Sequence, residues 1–364
     1  MRILLDYRPA LRERTGVGEY AHQLAAGLAR VLAPADELVL FSSSWKDRLP
    51  PDRIDGARVV DVRVPVSVLN AAWHRLEWPP VERFAGAVQV AHSLHPLLMP
   101  STHAAQVVTV HDLDFLDHPE RTRAEIRRDY PSLAPAHARR AAAVIAVSAF
   151  TRGEIERRLD VPRERIFVCS PGAPGWTPRP QHVPRGPILF MGTLEPRKNI
   201  GTLLRAYALL LERVPDAPSL WLAGGAGDGA AEWLRAIEQP PFGGKVCHLG
   251  YVPADRRYEL YTQASMFVLP SHLEGFGIPV LEAMTAGVPV IVSTAGALPE
   301  VAGDAGPAIP PDDAAGFAAA MQRYLTDPAA AAAAVERGIA RARQYSWDAT
   351  VRAVYAVYKS VSPR

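Results

Sequence analysis

The sequence predicts an α/β protein with two parallel sheets, each in a domain of its own. Three observations carry this. The chain has 364 residues, more than one hydrophobic core usually organises, since domains hold about 100–200 residues. Short β-branched or apolar runs alternate with longer helical patterns from end to end, the signature of strands joined by crossover helices. A stretch dense in proline, with Pro171, Pro174, Pro178, Pro180, Pro184 and Pro187, interrupts that alternation, and proline suits neither a helix interior nor a central strand.

Taken in order, strands are expected near 3–5, 37–41, 59–62, 88–91, 107–110 and 144–147, with a seventh at 166–168. A second set is expected near 188–191, 220–223, 246–249, 266–269, 290–292 and 308–309. The domains are therefore 1–170 and 188–346, with 171–187 as a linker bearing the hinge. Trp347, Val351, Val354, Tyr355, Tyr358 and Val361 follow with helical spacing.

Composition narrows the function classes. Hydrophobic residues make up 48% and charged residues 21%, an ordinary globular mixture. Residues 1–175 hold 23 Lys and Arg against 21 Asp and Glu, and the remainder 17 against 17, for a net charge of +2. That balance gives no basic surplus of the kind a nucleic-acid partner requires. Cys169 and Cys247 lie far apart and no signal peptide precedes the first apolar run, so a reducing cytoplasm is expected. No stretch approaches the roughly 20 apolar residues of a membrane span. Leu69, Ala72, Trp73 and Leu76 share one helical face beside His74 and Arg75; core packing is the expected use of that face, and peripheral contact with the cytoplasmic face of the inner membrane stays open.

Open parallel sheets bind ligands beyond the carboxyl ends of their strands, so the informative residues are those that follow the expected strands. After 3–5 comes Thr15-Gly16-Val17-Gly18-Glu19-Tyr20, where glycines before a helix let backbone N–H groups approach phosphate. The string Gly16-x-Gly18-x-x-Ala21 matches a dinucleotide fingerprint only formally, since neither the tight turn nor the following acid is present. Donor-phosphate binding, acceptor binding and an ordinary loop stay open there. After 107–110, His111 can donate a hydrogen bond or exchange a proton near neutral pH. Asp112 and Asp114 have the spacing of a metal-holding acid pair, a tripeptide common by chance, and no metal is expected.

After 188–191, Arg197 and Lys198 precede a helix starting near Asn199 and can neutralise a diphosphate leaving group. After 266–269, Glu274 lies in a glycine-containing loop, and Glu282 is expected in the first turn of a helix opened by Pro279. Both carboxylates can accept bonds from sugar hydroxyls, while N–H groups around Phe276 and Gly277 can face phosphates. For Glu282 the plain alternative is compensation of the helix dipole.

These residues resemble retaining glycosyltransferases of the GT-B fold, specifically glycosyltransferase family 4 in its broad sense, over the whole chain. The most specific match is Glu274 to Glu282 within Glu-Gly-Phe-Gly-Ile-Pro-Val-Leu-Glu-Ala-Met, followed by Ala286-Gly287-Val288-Pro289-Val290-Ile291. The resemblance implies two Rossmann-like domains facing across a cleft, with the helix over 347–361 returning to the first. It implies a nucleotide-sugar donor whose diphosphate meets Arg197 and Lys198, whose ribose meets Glu282 and whose sugar meets Glu274. Gly275, Phe276, Gly277 and Ile278 would contact donor largely through backbone, Tyr251 and Val252 after Gly250 would frame the base, and Gly16 and Gly18 would line the cleft. His111, Glu274, Arg197 and Lys198 would be the catalytic set, without a metal or other cofactor. Acceptor-facing residues would lie around 113–130 and the helix bearing Trp73.

The overall look is similar to bacterial mannosyltransferases of surface-polysaccharide assembly, which implies GDP-mannose as donor and a saccharide or lipid-linked saccharide as acceptor. UDP-glucose and UDP-N-acetylglucosamine stay open as donors. A catalytically silent partner subunit and a sugar-nucleotide epimerase of similar fold are the alternatives from other classes. The glycine run Gly224-Gly225-Ala226-Gly227-Asp228-Gly229 is looser than a simple Gly-x-Gly, which leaves its contact with donor unassigned.

Overall fold

The computed structural model describes residues 1–11, 14–122 and 124–362. They divide into two compact units, one of Met1–Gly172 with Trp347–Arg364, the other of Ala173–Ser346. The division falls at the start of the proline-rich stretch, which differs from a linker running through 171–187. From Ala173 onward that stretch is held by the second unit. Arg179, 9% exposed, donates from Nε to Gly287 O at 3.0 Å and from Nη1 to Ala264 O at 2.5 Å. Trp176 packs on Tyr258 and Tyr261, with ring centroids 5.3 and 5.8 Å apart.

The first unit contains β1 (Arg2–Asp6), β2 (Glu37–Ser43), β3 (Ala57–Val62), β4 (Val90–Ser93), β5 (Ala105–Val110), β6 (Ala143–Ala146) and β7 (Ile166–Val168). They form one parallel sheet in the order β3-β2-β1-β4-β5-β6-β7. β6 is apolar and buried along its whole length, as a sheet covered on both faces favours, with Val144 and Ile145 fully buried. The fourth strand starts two residues later than the apolar run suggests, at Val90, where its pairing with β1 begins at Ile3. The helix Gly16–Val31 covers one face. Trp347–Val361 belongs to the same unit, burying Val351, Val354 and Tyr358, and Tyr358 OH lies 2.6 Å from His92 Nδ1.

The second unit contains β8 (Ile188–Met191), β9 (Leu220–Ala223), β10 (Val246–Gly250), β11 (Met266–Leu269), β12 (Val290–Ser293) and β13 (Ala308–Ile309). They form a parallel sheet in the order β10-β9-β8-β11-β12-β13. Each order reverses direction once, between β1 and β4 in the first unit and between β8 and β11 in the second. Loops leaving a sheet on either side of such a switch diverge to opposite faces, which opens a crevice at the strand carboxyl ends.

Candidate active site

In the second unit the loops flanking the switch are those after β8 and β11. The sequence places Arg197 and Lys198 on one and Glu274 on the other, and the fold brings them together. Lys198 Nζ donates to Glu274 Oε1 at 2.5 Å, and Arg197 Nη1 donates to Glu274 Oε2 at 3.1 Å. Ser271 Oγ adds a 2.7 Å bond to Oε1, and Arg197 Nη2 reaches Glu195 at 3.0 Å. Glu274 and Lys198 are 7% and 8% exposed. Burial alone would raise the Glu274 carboxyl, but the charges of Lys198 and Arg197 outweigh it and hold the pKa at about 2. The carboxylate is therefore ionised at neutral pH. By lone-pair count, Oε2 keeps room for one more donor.

Backbone geometry fixes both loops. Asn199 caps the helix Ile200–Arg213 in the left-handed conformation, φ +56, and its Nδ2 donates to Pro270 O at 3.1 Å and Pro311 O at 2.7 Å. His272 N donates to Arg197 O at 2.8 Å. The glycine run after β9 supports the loop after β8 from the other side. A Cβ at Gly224 would stand 1.9 Å from Gly192 O, and Leu194 N bonds Gly225 O at 2.9 Å. Packing thus accounts for part of a run that sequence reading left unassigned.

Glu282 belongs to a second cluster. It is the fifth residue of the helix Ile278–Thr285, in the second turn, not in the first turn as the sequence suggests. Its neighbours are specific: Arg257 Nη1 lies 3.2 Å from Oε1, and Tyr261 OH donates to Oε2 at 2.8 Å. With Glu282 at 5% exposure and Arg257 at 7%, this is a buried ion pair and replaces the helix-dipole alternative. Burial and then the Glu282 charge push the Tyr261 hydroxyl well above its ordinary pKa, so it stays a donor. Gly277, φ +105, is the N-cap of that helix, and Ile278 and Pro279 open it. Phe276 is buried with its ring edge-on to Tyr345 at 5.5 Å. Gly275 precedes it in the same loop, and Tyr251 and Val252 are half-buried just beyond β10.

In the first unit, the helix expected after Gly18 begins at Gly16, so both glycines lie in its first turn and the dinucleotide-type loop is not formed. A methyl group at Gly16 meets nothing within 4 Å. Tyr20 of that helix sets its ring at 87° to His111, centroids 5.1 Å apart. His111 Nε2 lies 3.2 Å from Leu94 O. A carbonyl only accepts, so the proton sits on Nε2 and Nδ1 carries the lone pair. Burial, only partly offset by Asp112, pushes the His111 pKa down to about 4, so the ring is neutral at physiological pH. Asp112 and Asp114 are joined locally, Asp114 N to Asp112 Oδ1 at 3.2 Å. Among the described residues no group of three or more His, Cys, Asp or Glu is arranged to hold a metal ion.

Sequence reading missed what stands at the first unit's own switch. Asp6 ends β1, fully buried, with Arg8 Nη2 at 2.7 Å and His95 Nε2 at 3.3 Å. Arg8 also stacks over Trp73, 4.9 Å from the ring centroid. The available signal was an acid at the end of the first strand, which a loop of ordinary composition after it obscures.

Two family models cover most of the chain in succession: Glycosyltransferase Family 4 matches residues 14–174, and Glycosyl transferases group 1 matches residues 183–341. The chain is 32% identical to the O-antigen chain mannosyltransferase B of Escherichia coli over 387 aligned residues, covering 99% of this chain and 100% of that protein. This chain belongs to glycosyltransferase family 4. The glycosyltransferase is also 35% identical to the phosphatidyl-myo-inositol mannosyltransferase of Mycolicibacterium smegmatis over 180 residues, 48% of this chain and 45% of that one. Its fold is GT-B. Sucrose-phosphate synthase from Thermosynechococcus elongatus superposes with a TM-score of 0.81 at 21% identity, over 99% of this chain and 98% of the other. Among the described residues of the glycosyltransferase, no helix is long and apolar enough to cross a membrane.

Proposed function

We propose that this glycosyltransferase transfers mannose from GDP-mannose to a saccharide or lipid-linked saccharide in polysaccharide assembly, with retention at the anomeric carbon and without a metal. The observation that carries the reading is the meeting of Lys198, Arg197 and Glu274 at the switch between β8 and β11. Lys198 and Arg197 stand together beside Glu274 and Glu195, where a diphosphate could draw on both cations, and positioned cations stabilise the charge that develops on a leaving group. They supply the neutralisation for which other transferases use a divalent ion.

In the reaction, the bond from the anomeric carbon to the diphosphate oxygen breaks while the acceptor hydroxyl oxygen bonds to the same face of that carbon. The acceptor proton passes to the departing diphosphate oxygen. Arg197 and Lys198 would hold that diphosphate, Glu274 would take a sugar hydroxyl on Oε2, and Glu282 would take the ribose hydroxyls. Tyr251 and Val252 follow β10, two strands from β8. At about 4.8 Å per strand, that is about 10 Å along the sheet edge, a fitting reach for the base. In the first unit, the open Gly16 turn with Gly18 and the neutral ring of His111 would serve the sugar and the incoming hydroxyl. The relatives named for mannosyl transfer support the choice of sugar, and a cytoplasmic site with peripheral membrane contact follows from a lipid-linked acceptor.

The test is direct. Purified protein is screened by melting temperature against GDP-mannose, UDP-glucose and UDP-N-acetylglucosamine; a ligand at 100 times its dissociation constant adds about 2.7 kcal/mol. Transfer to mannose-terminated acceptors is then followed by proton NMR in the presence of a chelator. An α-linked product from GDP-mannose is expected. Stabilisation by a UDP-sugar alone reassigns the donor, an inverted product removes the mechanism, and loss of activity in chelator removes the metal-free reading.

A further inference from the structure

At the edge of the first sheet opposite to His111, the first unit holds a cavity of about 380 Å3, within the range of small-molecule sites. Its lining includes Trp78, Arg83, Gln106, His137 and the pair Glu77 and Arg140. These residues follow the helix Val66–Leu76, precede β4, begin β5 and end the helix Ala124–Arg140. All therefore sit where strands start. The length of β5, six residues or about 20 Å, separates the cavity from His111.

The walls are held by side chains in fixed bonds. Trp73 Nε1 donates to Pro79 O at 2.9 Å, and Gln106 Nε2 to Met99 O at 2.5 Å. Glu82 Oε1 accepts from Ser101 Oγ at 2.5 Å and from the backbone of Thr102 and His103 at 3.1 and 3.2 Å. Glu77 holds a left-handed φ of +49, and both its oxygens are met by the two Nη atoms of Arg140. That conformation ends the helix Val66–Leu76 at Glu77 and fixes where the carboxylate stands.

What lines the cavity is a mixture of donors, acceptors and the aromatic rings of Trp73 and Trp78. His137 is 5% exposed and its Nδ1 accepts the Leu98 N–H at 3.0 Å. Burial, then Arg140, push its pKa down to about 4, so the neutral ring carries its proton on Nε2, which has no partner among the described residues. Arg83 is exposed and likewise unpartnered among the described residues. Gln106 offers Oε1, Glu77 a carboxylate, and Trp78 an indole that is 58% exposed. A phosphate wants donors alone, and with Glu77 already bonded to Arg140 it would leave the acceptor of Gln106 unused. A pyranose fits better, because every hydroxyl both donates and accepts and its C–H face packs on an aromatic ring.

We infer that this cavity binds a saccharide unit of the glycan being extended, at a place separate from the reacting end. The inference rests on the glycan-handling reading above. Holding one part of the acceptor would raise the effective concentration of its reacting end, so the site favours long acceptors over short ones.

The experiment uses the full chain without donor, so it does not depend on transfer. Linear α-manno-oligosaccharides of four or more units, with gluco- and N-acetylglucosamine oligosaccharides beside them, are titrated calorimetrically into wild type, Trp78→Ala and Arg83→Ala. Both side chains are exposed, so the variants keep the fold. Wild type is expected to bind one oligosaccharide class, and each variant to weaken it at least about tenfold, with GDP-mannose affinity and transfer to a single-residue acceptor unchanged. Absence of binding for all three classes, or equal binding by the variants, overturns the proposal. So does a variant that loses only its partition onto phosphatidylglycerol vesicles, which would make the patch a lipid contact. A wrong donor assignment would leave the oligosaccharide titration intact, so the two failures are distinguishable.

Discussion

Lys198 Nζ stands 2.5 Å from Glu274 Oε1 although 76 positions separate the two in sequence. The contact exists because β8 and β11 are hydrogen-bonded neighbours and the loop after each strand carries one of the two residues. With Arg197 on the other carboxylate oxygen, the cluster is held in place before a donor arrives, and preorganised charge is what stabilises a transition state without reorganisation cost.

Replacing Lys198 by Ala is expected to reduce kcat by about 10²–10³, the usual effect of removing one positioned group at a developing charge. Stability should fall by about 1–3 kcal/mol, less than for a buried carboxylate stripped of all partners, because Arg197 and Ser271 still reach Glu274. Steady-state kinetics and thermal unfolding separate the two effects. Full activity in Lys198→Ala would remove the residue from the reaction.

Glu274 links the same cluster to pH. Its folded pKa of about 2 lies below the ordinary 4.5, so the fold binds fewer protons than the unfolded chain between those values. The stabilisation is fully present above about pH 4.5 and is lost as pH falls towards 2, amounting to about 3 kcal/mol. Glu274→Gln is expected to be less stable than wild type at pH 7 and to lose less on acidification. Denaturant unfolding at pH 7, 4 and 3 measures this; parallel curves for the two proteins would contradict it.

Glu282 calls for a substitution chosen by its partners. Glu282→Ala would take a carboxylate from the buried Arg257 and an acceptor from Tyr261, and removing one partner of a buried pair costs about 3–5 kcal/mol, so loss of activity in that variant would report folding as much as binding. Glu282→Gln keeps the volume and an acceptor for Tyr261. If Glu282 holds the ribose, deoxygenating the donor's ribose should weaken wild type about tenfold and Glu282→Gln hardly at all. An equal loss in both proteins would place the ribose elsewhere.

Both sheets and the Arg197, Lys198 and Glu274 loops were legible in sequence because apolar runs mark parallel strands and loops after strands carry chemistry. What stayed hidden depended on contacts between distant loops. Asp6, Arg8 and His95 meet only once β1 and β4 are paired. Glu282 looked like a charge at a helix start because its partner Arg257 lies 25 positions earlier on another helix. The proline-rich stretch reads as an interdomain linker bearing a hinge because nothing in its sequence reveals that Arg179 is buried against 262–287.

Gly296 is another such residue. It adopts φ +64, and a Cβ there would stand 2.3 Å from Glu274 O and 2.7 Å from Glu274 N. Gly296→Ala must therefore displace the Glu274 backbone, which Ala297 N otherwise holds by a 2.8 Å bond. The variant is expected to lose about 1–3 kcal/mol of stability, the range of backbone strain, and to weaken donor binding at least as much as Lys198→Ala. Calorimetric titration of the donor nucleotide checks it, and wild-type affinity would show that the loop position does not matter to the site.

His111 gives the pH dependence of the first unit. Burial lowers its pKa to about 4 against an ordinary 6.5, with Asp112 and the bond to the Leu94 carbonyl opposing and His95 adding to the shift. The folded ring is therefore neutral throughout the working range, and its Nδ1 is an acceptor. Transfer should show no ionisation near pH 6.5 from this residue. For stability the sign is the same as for a depressed acid: the unfolded chain protonates first as pH falls below 6.5, so the contribution is full above 6.5 and lost as pH falls to about 4. His22, His92 and His137 are shifted the same way, to about 4, 3 and 4, so only a difference isolates His111. His111→Asn cannot titrate, and the wild-type minus variant stability should decline between pH 6.5 and 4. Imidazole NMR should place the His111 midpoint near 4; a midpoint at 6.5 would mean the ring is solvated and free to act as an acid at neutral pH.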